Sequence, residues 1–127
     1  MRDILFRGKR ADNGEWVEGD LVQGVHNQKG MMFIWAVVDF DTSLFGTFEY
    51  GVVPETVGQF TGLTDKNGKK IFEGDIVKWD GTEISQIRYC EGVYRLCNAD
   101  GYYGCSLHNH FSYVEIIGNI HDNPELL

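Results

Sequence analysis

Residues 60–77 read FTGLTDKNGKKIFEGDIV and hold two turn signals on either side of a short apolar segment. The Asn-Gly pair that ends at Gly68 favours a tight turn, because both residue types tolerate positive φ at low cost. A Glu-Gly-Asp triplet centred on Gly74 predicts a second bend, in which the Asp75 carboxylate accepts backbone N–H groups. The β-branched and aromatic residues at 76–79 then predict a strand that leaves this bend.

The same segment resembles the signature of the YopX family, a family of small phage and prophage proteins. Residues 1–8, MRDILFRG, resemble the start of that family, and residues 114–127, VEIIGNIHDNPELL, resemble its end. The resemblance therefore touches both ends and the middle of the chain in order, whereas residues 23–56 carry none. It implies an all-β domain with a small SH3-like barrel, and it implies no activity.

Further turn signals along the rest of the chain predict many short strands. Asp-Gly or Glu-Gly turn signals lie at 80–81, 91–92 and 100–101, and they separate short apolar runs. This spacing is typical of an antiparallel meander that curls into a small barrel. We therefore predict one all-β domain over residues 1–127, with a barrel portion at 59–127, an N-terminal β extension at 1–58, and no helix longer than a single turn.

The chain is acidic, with a formal net charge of -8. This charge disfavours non-specific binding of DNA or RNA, whose affinity comes from Lys and Arg side chains that neutralise phosphates. It also disfavours attraction to anionic membrane surfaces. The longest apolar run, residues 31–38, is shorter than the roughly 20 residues that cross a bilayer. We therefore expect a protein partner or a second copy of the chain, and no membrane.

The Glu-Gly-Asp triplet occurs twice, centred on Gly19 and on Gly74, each time between apolar residues. One interpretation is a duplicated ligand loop, and the other is a single turn geometry that the chain uses twice. We favour the second and assign structural turn roles to five residues: Gly19, Asp20, Gly68, Gly74 and Asp75.

The histidines and cysteines of the C-terminal half are the candidates for catalysis or metal binding. Cys105, His108, His110 and His121 are potential ligands, but their spacing is not that of a zinc site. The sequence also shows no phosphate-binding glycine loop and no marked nucleophile with its base. We predict no cofactor, no metal and no enzymatic activity, and keep an enzyme or metal protein as a less favoured alternative.

The chain has three cysteines, and we expect no secretory leader, because the first residues lead into a predicted strand and not into an apolar signal core. An odd number of cysteines in this context indicates free thiols in a reducing compartment. We therefore expect the protein in the cytoplasm of a bacterial host.

The best hypothesis from the sequence is a non-enzymatic module that binds a protein partner or itself. Small barrels use exposed aromatic residues as stacking platforms, and turns present polar side chains. The residues that we assign to partner binding are Asp65, Lys66, Asn67, Lys69, Lys70, Tyr102 and Tyr103. Two alternatives remain: a nucleic-acid-binding module that uses the lysine-bearing turn at 66–70, and an acidic mimic of DNA that inhibits a host protein.

Overall fold

The structure, a computed structural model, describes residues 4–23, 32–41, 44–79, 83–98 and 103–127, with the backbone alone at 23, 37–41, 44–47 and 103. The strands in these ranges are β1 (Phe6–Lys9), β2 (Trp16–Gln23), β3 (Met32–Asp41), β4 (Leu44–Val52), β5 (Gly58–Thr64), β6 (Lys70–Phe72), β7 (Asp75–Trp79), β8 (Glu83–Cys90), β9 (Val93–Cys97), β10 (Tyr103–Ser106) and β11 (Glu115–Asn119). The helices are 3-10 turns at Pro54–Thr56, Leu107–Asn109, Phe111–Tyr113 and Pro124–Leu126.

The described helices are single turns, as predicted. In the first of them, the Thr56 hydroxyl donates to the Val53 carbonyl at 2.6 Å and accepts from the Lys9 backbone N–H at 2.9 Å. This side chain therefore joins the helical turn to β1. No helix within the described ranges is both long enough and apolar enough to cross a membrane.

The strands form two antiparallel sheets, with the orders β4-β3-β2-β1-β5-β6 and β10-β9-β8-β7-β11. The all-β class is therefore confirmed. The chain divides into two compact units, Met1–Gln59 and Phe60–Leu127, and the division falls inside β5. That the whole chain acts as one domain stays a prediction.

The five-stranded sheet of the second unit is open. β10 and β11 lie at its two ends, and no backbone pairing joins them in the part of the chain that the structure describes. The predicted closure of residues 59–127 into a barrel is therefore not found. Turn signals locate short strands, but whether the end strands meet depends on the twist and stagger of the whole sheet, which no local pattern encodes.

Buried aliphatic side chains form the core of the second unit. Alternation along β8 and β9 sends Ile87 and Leu96, which are paired across the two strands, to the same face. The fully buried members of this cluster are Ile71, Val77, Ile87, Leu96, Leu107 and Val114. Burying each such side chain contributes about 1.5–3 kcal/mol, so this cluster is the main source of stability for the unit.

Gly19 lies in the middle of β2 and not in a turn. It pairs with Phe6 of β1, and a Cβ atom on it would collide with the carbonyl oxygen of Trp35 in β3. Asp20 continues the same strand, opposite Trp35. The prediction that Gly19 and Asp20 are turn residues is therefore wrong. A glycine that permits two strands to approach closely looks the same in sequence as a glycine that permits a turn.

The two Glu-Gly-Asp triplets consequently have different structures. The first is extended within β2, whereas the second makes the turn between β6 and β7. Both interpretations of the repeat, a duplicated ligand loop and a turn used twice, are therefore wrong.

We predict that Gly19→Ala destabilises the first unit, because the new methyl group overlaps the Trp35 carbonyl and forces β2 and β3 apart. We expect the free energy of unfolding to fall by about 1–3 kcal/mol. Urea unfolding followed by circular dichroism measures this loss. Gly51→Ala in β4 is the matched control, since its Cβ would meet only the Phe33 ring at an ordinary 3.7 Å. Equal losses in the two variants would contradict the close approach at Gly19.

Candidate functional site

The turn between β5 and β6 is organised by the buried carboxylate of Asp65. Its Oδ1 accepts the backbone N–H groups of Asn67 and Lys69, both at 2.9 Å. Its Oδ2 accepts the backbone N–H of Ile116 in β11 at 3.0 Å. The backbone N–H of Asp65 also donates to the Lys69 carbonyl at 2.8 Å. Asp65 thus holds the turn closed and ties it to β11, so its carboxylate is not available to a partner.

These hydrogen bonds determine the charge of Asp65. Burial alone would raise the pKa of Asp65, but the backbone N–H groups of Ile116, Lys69 and Asn67, with the charge of Lys69, outweigh it and lower the pKa. The folded-state pKa therefore lies below the unfolded value of about 3.9. The carboxylate form stabilises the fold above that pH, and this contribution is lost as the pH falls through the folded-state pKa.

The lysines of the turn are not equivalent. Lys66 Nζ lies 3.3 Å from a carboxylate oxygen of Glu115, and the backbone N–H of Lys66 donates to the Val114 carbonyl at 3.0 Å. Lys69 and Lys70 are exposed and belong to no ion pair with a described residue. Of the predicted binding residues in this turn, Asn67, Lys69 and Lys70 remain accessible, while Lys66 is partly neutralised.

Gly68 and Gly74 both adopt positive φ, at 82° and 92°. The backbone N–H of Gly74 donates to the Ile87 carbonyl, and its carbonyl accepts from the Ile120 N–H, both at 2.9 Å. The carboxylate of Asp75 accepts the Phe72 backbone N–H at 2.8 Å and is buried. The second turn therefore connects three segments of the unit, and the Asp75 carboxylate is engaged within it.

The remaining candidate residues form no second cluster in the part of the chain that the structure describes. Tyr102 lies outside the described residues, and of Tyr103 only the backbone position in β10 is described. His110 Nδ1 lies 3.0 Å from the Ser106 carbonyl, and its ring packs edge-on against Trp79 with centroids 5.8 Å apart. No group of three or more metal-binding side chains is found among the described residues.

The cysteines differ in their exposure. Cys97 is fully buried, and burial raises the pKa of its thiol. Cys90 is half-buried and Cys105 is exposed, and all three thiols are free. Nothing in this arrangement pairs a cysteine with a base for nucleophilic attack.

An exposed tryptophan on the first unit lies between two carboxylates. Trp35 of β3 is directly opposite Asp20 of β2 on one side and Glu49 of β4 on the other. Directly opposed residues of antiparallel strands share a face, so the three side chains form a row across three strands. Trp35 is 42% exposed, and its indole N–H donates to Glu49 at 2.8 Å. We call Asp20, Trp35 and Glu49 the acidic–tryptophan row.

A second tryptophan on the same face already binds cations. Residues two apart in a strand share a face, so Trp16 lies on the same side of β2 as Asp20. The Arg7 guanidinium lies 4.7 Å from the centroid of the Trp16 ring, and Lys9 Nζ lies at 5.8 Å. No described cation covers the ring of Trp35 in this way. The row therefore combines an uncovered aromatic ring with two exposed carboxylates.

Sequence reasoning missed this row. Residues 31–40 form a continuous apolar run, which predicts a strand buried on both faces and gives no sign that Trp35 faces outward. The available signal was the alternation of Trp16, Glu18 and Asp20 in β2, which marks one exposed polar face. Only the register between strands brings Trp35 onto that face.

Comparison with known proteins identifies the family. The family model described as YopX protein matches residues 5–127. The chain belongs to the YopX family. The resemblance seen at the two ends and the middle of the sequence is therefore confirmed, and the YopX match includes both compact units.

One solved structure similar to this YopX chain is the crystal structure of protein EF1440 from Enterococcus faecalis. It is 26% identical, the match covers 100% of this chain and 99% of that one, and the TM-score is 0.64. No curated protein matches the chain.

We predict that Asp65→Asn destabilises the second unit at neutral pH, because the amide cannot accept all three N–H groups and leaves a buried donor unpaired. The expected loss in the free energy of unfolding is about 1–3 kcal/mol. The difference from the unsubstituted chain should shrink as the pH falls below about 4, the unfolded-state pKa, toward the lower pKa of Asp65 in the folded protein.

Urea unfolding between pH 3 and pH 7, in steps of about one unit, gives the pH dependence of both chains. Glu55→Gln removes an exposed carboxylate and serves as the control, for which we expect little change. The same pH dependence with and without the Asp65 substitution would show that this carboxylate does not determine acid stability.

Proposed function

We propose that this YopX protein is a non-enzymatic interaction module that binds a basic protein segment on the acidic–tryptophan row. The observation that carries the proposal is the position of Trp35, a residue that is 42% exposed, between Asp20 and Glu49. An exposed aromatic ring between two carboxylates is suited to a Lys or Arg side chain of a partner.

The chemistry of the row favours arginine. A guanidinium can lie flat on the indole of Trp35 while its N–H groups donate to a neighbouring carboxylate. The Cβ atoms of directly opposed residues are about 4.5–5.5 Å apart, so either carboxylate is within reach of a cation on the ring. The covering of Trp16 by Arg7 and Lys9 on the same sheet supports this mode of binding.

The net charge of the chain also favours a basic partner. A formal charge of -8 attracts a basic segment over distances longer than the contact itself, and salt weakens this attraction. The charge also agrees with an acidic mimic of DNA, but no described arrangement of carboxylates favours that version, and it stays the weaker proposal.

An SH3-like fold for the second unit is part of this proposal. Its last strand, β11, pairs with β7, the first strand of the five-stranded sheet in chain order, and single-turn helices precede β11. This order of strands supports the likeness, although the sheet is open between β10 and β11 in the described residues. We also propose a phage or prophage origin and action in the bacterial cytoplasm, which the membership of the YopX family supports.

A nucleic-acid-binding role for the turn at 66–70 has less support. Lys66 already faces Glu115 at 3.3 Å, which leaves Lys69 and Lys70 as the exposed cations of this turn. Two cations neutralise too few phosphates to overcome a net charge of -8. A mobility shift of single- or double-stranded DNA or RNA at low salt, abolished by Lys69→Ala with Lys70→Ala, would favour this alternative.

We predict that a fluorescent arginine-rich peptide binds the protein at low salt and that an acidic peptide of equal length does not. Trp35→Ala and Asp20→Asn should each weaken this binding about two- to thirtyfold, because one cation–π or charge contact is worth about 0.5–2 kcal/mol. Fluorescence anisotropy gives the dissociation constants, and circular dichroism shows that the variants are folded.

Two substitutions control for exposure and charge. Tyr89→Ala removes the aromatic ring of a residue that is 56% exposed on the second unit, and Glu55→Gln removes an exposed carboxylate outside the row. Both should bind the basic peptide like the unsubstituted protein. Equal binding by Trp35→Ala would refute the proposed site, even if the peptide binds elsewhere.

A further inference from the structure

Two arginines lie directly opposite each other in the sheet of the second unit. Arg88 of β8 pairs in register with Arg95 of β9. Like charges in this position destabilise a sheet unless another group compensates them. Neither arginine belongs to an ion pair with a described residue. We call Arg88 and Arg95 the arginine pair.

The arginine pair lies on the face of the sheet opposite to the core. The neighbouring residues Ile87 and Leu96 belong to the buried cluster, so Arg88 and Arg95 alternate to the other side. Arg88 is exposed and Arg95 is half-buried. The charges of both arginines act on the buried Cys97 thiol, opposing the rise in pKa that burial causes, which agrees with their lying on one face.

The charged neighbours of the pair on that face do not neutralise it. Lys78 of β7 lies on the same face because it pairs with Ile84, which is four residues before Arg88 in β8. The acidic residue opposite Lys78 is Glu115, and its carboxylate already contacts Lys66 at 3.3 Å. Among the described strand residues on this face, Arg88, Arg95 and Lys78 therefore carry positive charge without an ion pair, in a chain whose overall charge is negative.

We propose that the arginine pair of one copy docks on the acidic–tryptophan row of a second copy. This inference rests on the proposed function and names the partner of the same row. Each surface carries what the other lacks: two adjacent guanidinium groups on one side, and an uncovered indole between two carboxylates on the other. One guanidinium stacks on Trp35 while its neighbour donates to a flanking carboxylate.

Two kinds of assembly are compatible with this contact. If two copies exchange the same contact both ways, a two-fold symmetric dimer uses both surfaces of each chain. If the contact runs in one direction only, it gives rings or open chains. In each case the contact weakens as salt rises, since both surfaces are charged.

The test is a mixing experiment on the full chain. One variant carries Arg88→Glu with Arg95→Glu and keeps its row. The other carries Trp35→Ala with Asp20→Asn and keeps its arginine pair. Sedimentation velocity at low salt should show association of the unsubstituted protein, at least about tenfold weaker association of each variant alone, and restored association when the two variants are mixed.

The control variant is Lys69→Glu with Lys70→Glu, which makes the same change in charge on the turn that Asp65 closes. It should associate like the unsubstituted protein. A monomeric unsubstituted protein, or a mixture that associates no better than its components, would overturn the inference. The arginine-rich peptide separates this failure from that of the proposed function: binding that depends on Trp35 without self-association leaves the row as a site for another partner.

Discussion

The hydrogen bond between the Asp65 carboxylate and the Ile116 N–H joins residues 51 positions apart in the second unit. The same carboxylate closes the turn between β5 and β6 through Asn67 and Lys69. A buried charge is costly unless it is fully hydrogen-bonded, and here three backbone donors meet that requirement. The position of β11, which its pairing with β7 also holds, therefore depends in part on one ionised side chain.

Local chemistry made the turns predictable. An Asn-Gly pair and a Glu-Gly-Asp triplet specify backbone geometry within a few residues, and Gly68 and Gly74 adopt the positive φ that such signals require. The all-β class follows from the many short apolar runs between these turns. The sequence neighbours of Asp65 reveal the turn, but from the sequence we assigned Asp65 to partner binding and predicted neither its hydrogen bonds in the turn nor its contact with Ile116.

Features that depend on pairing between distant strands were not predictable. To predict the role of Gly19, one must know that the Trp35 carbonyl approaches it. To predict the acidic–tryptophan row, one must know the register of three strands. A shift of one residue in that register would turn Trp35 to the other face. For the same reason the sequence suggested a closed barrel, whereas the described end strands β10 and β11 do not pair.

The long-range tie at Asp65 also constrains the order in which the chain acquires its structure during synthesis. Leu107 and Val114 belong to the buried cluster of the second unit, and Ile116 provides the third hydrogen bond to Asp65. These residues leave the ribosome after the rest of the cluster. The strands of the first unit are synthesised earlier, whereas the second unit has to wait for its final strand.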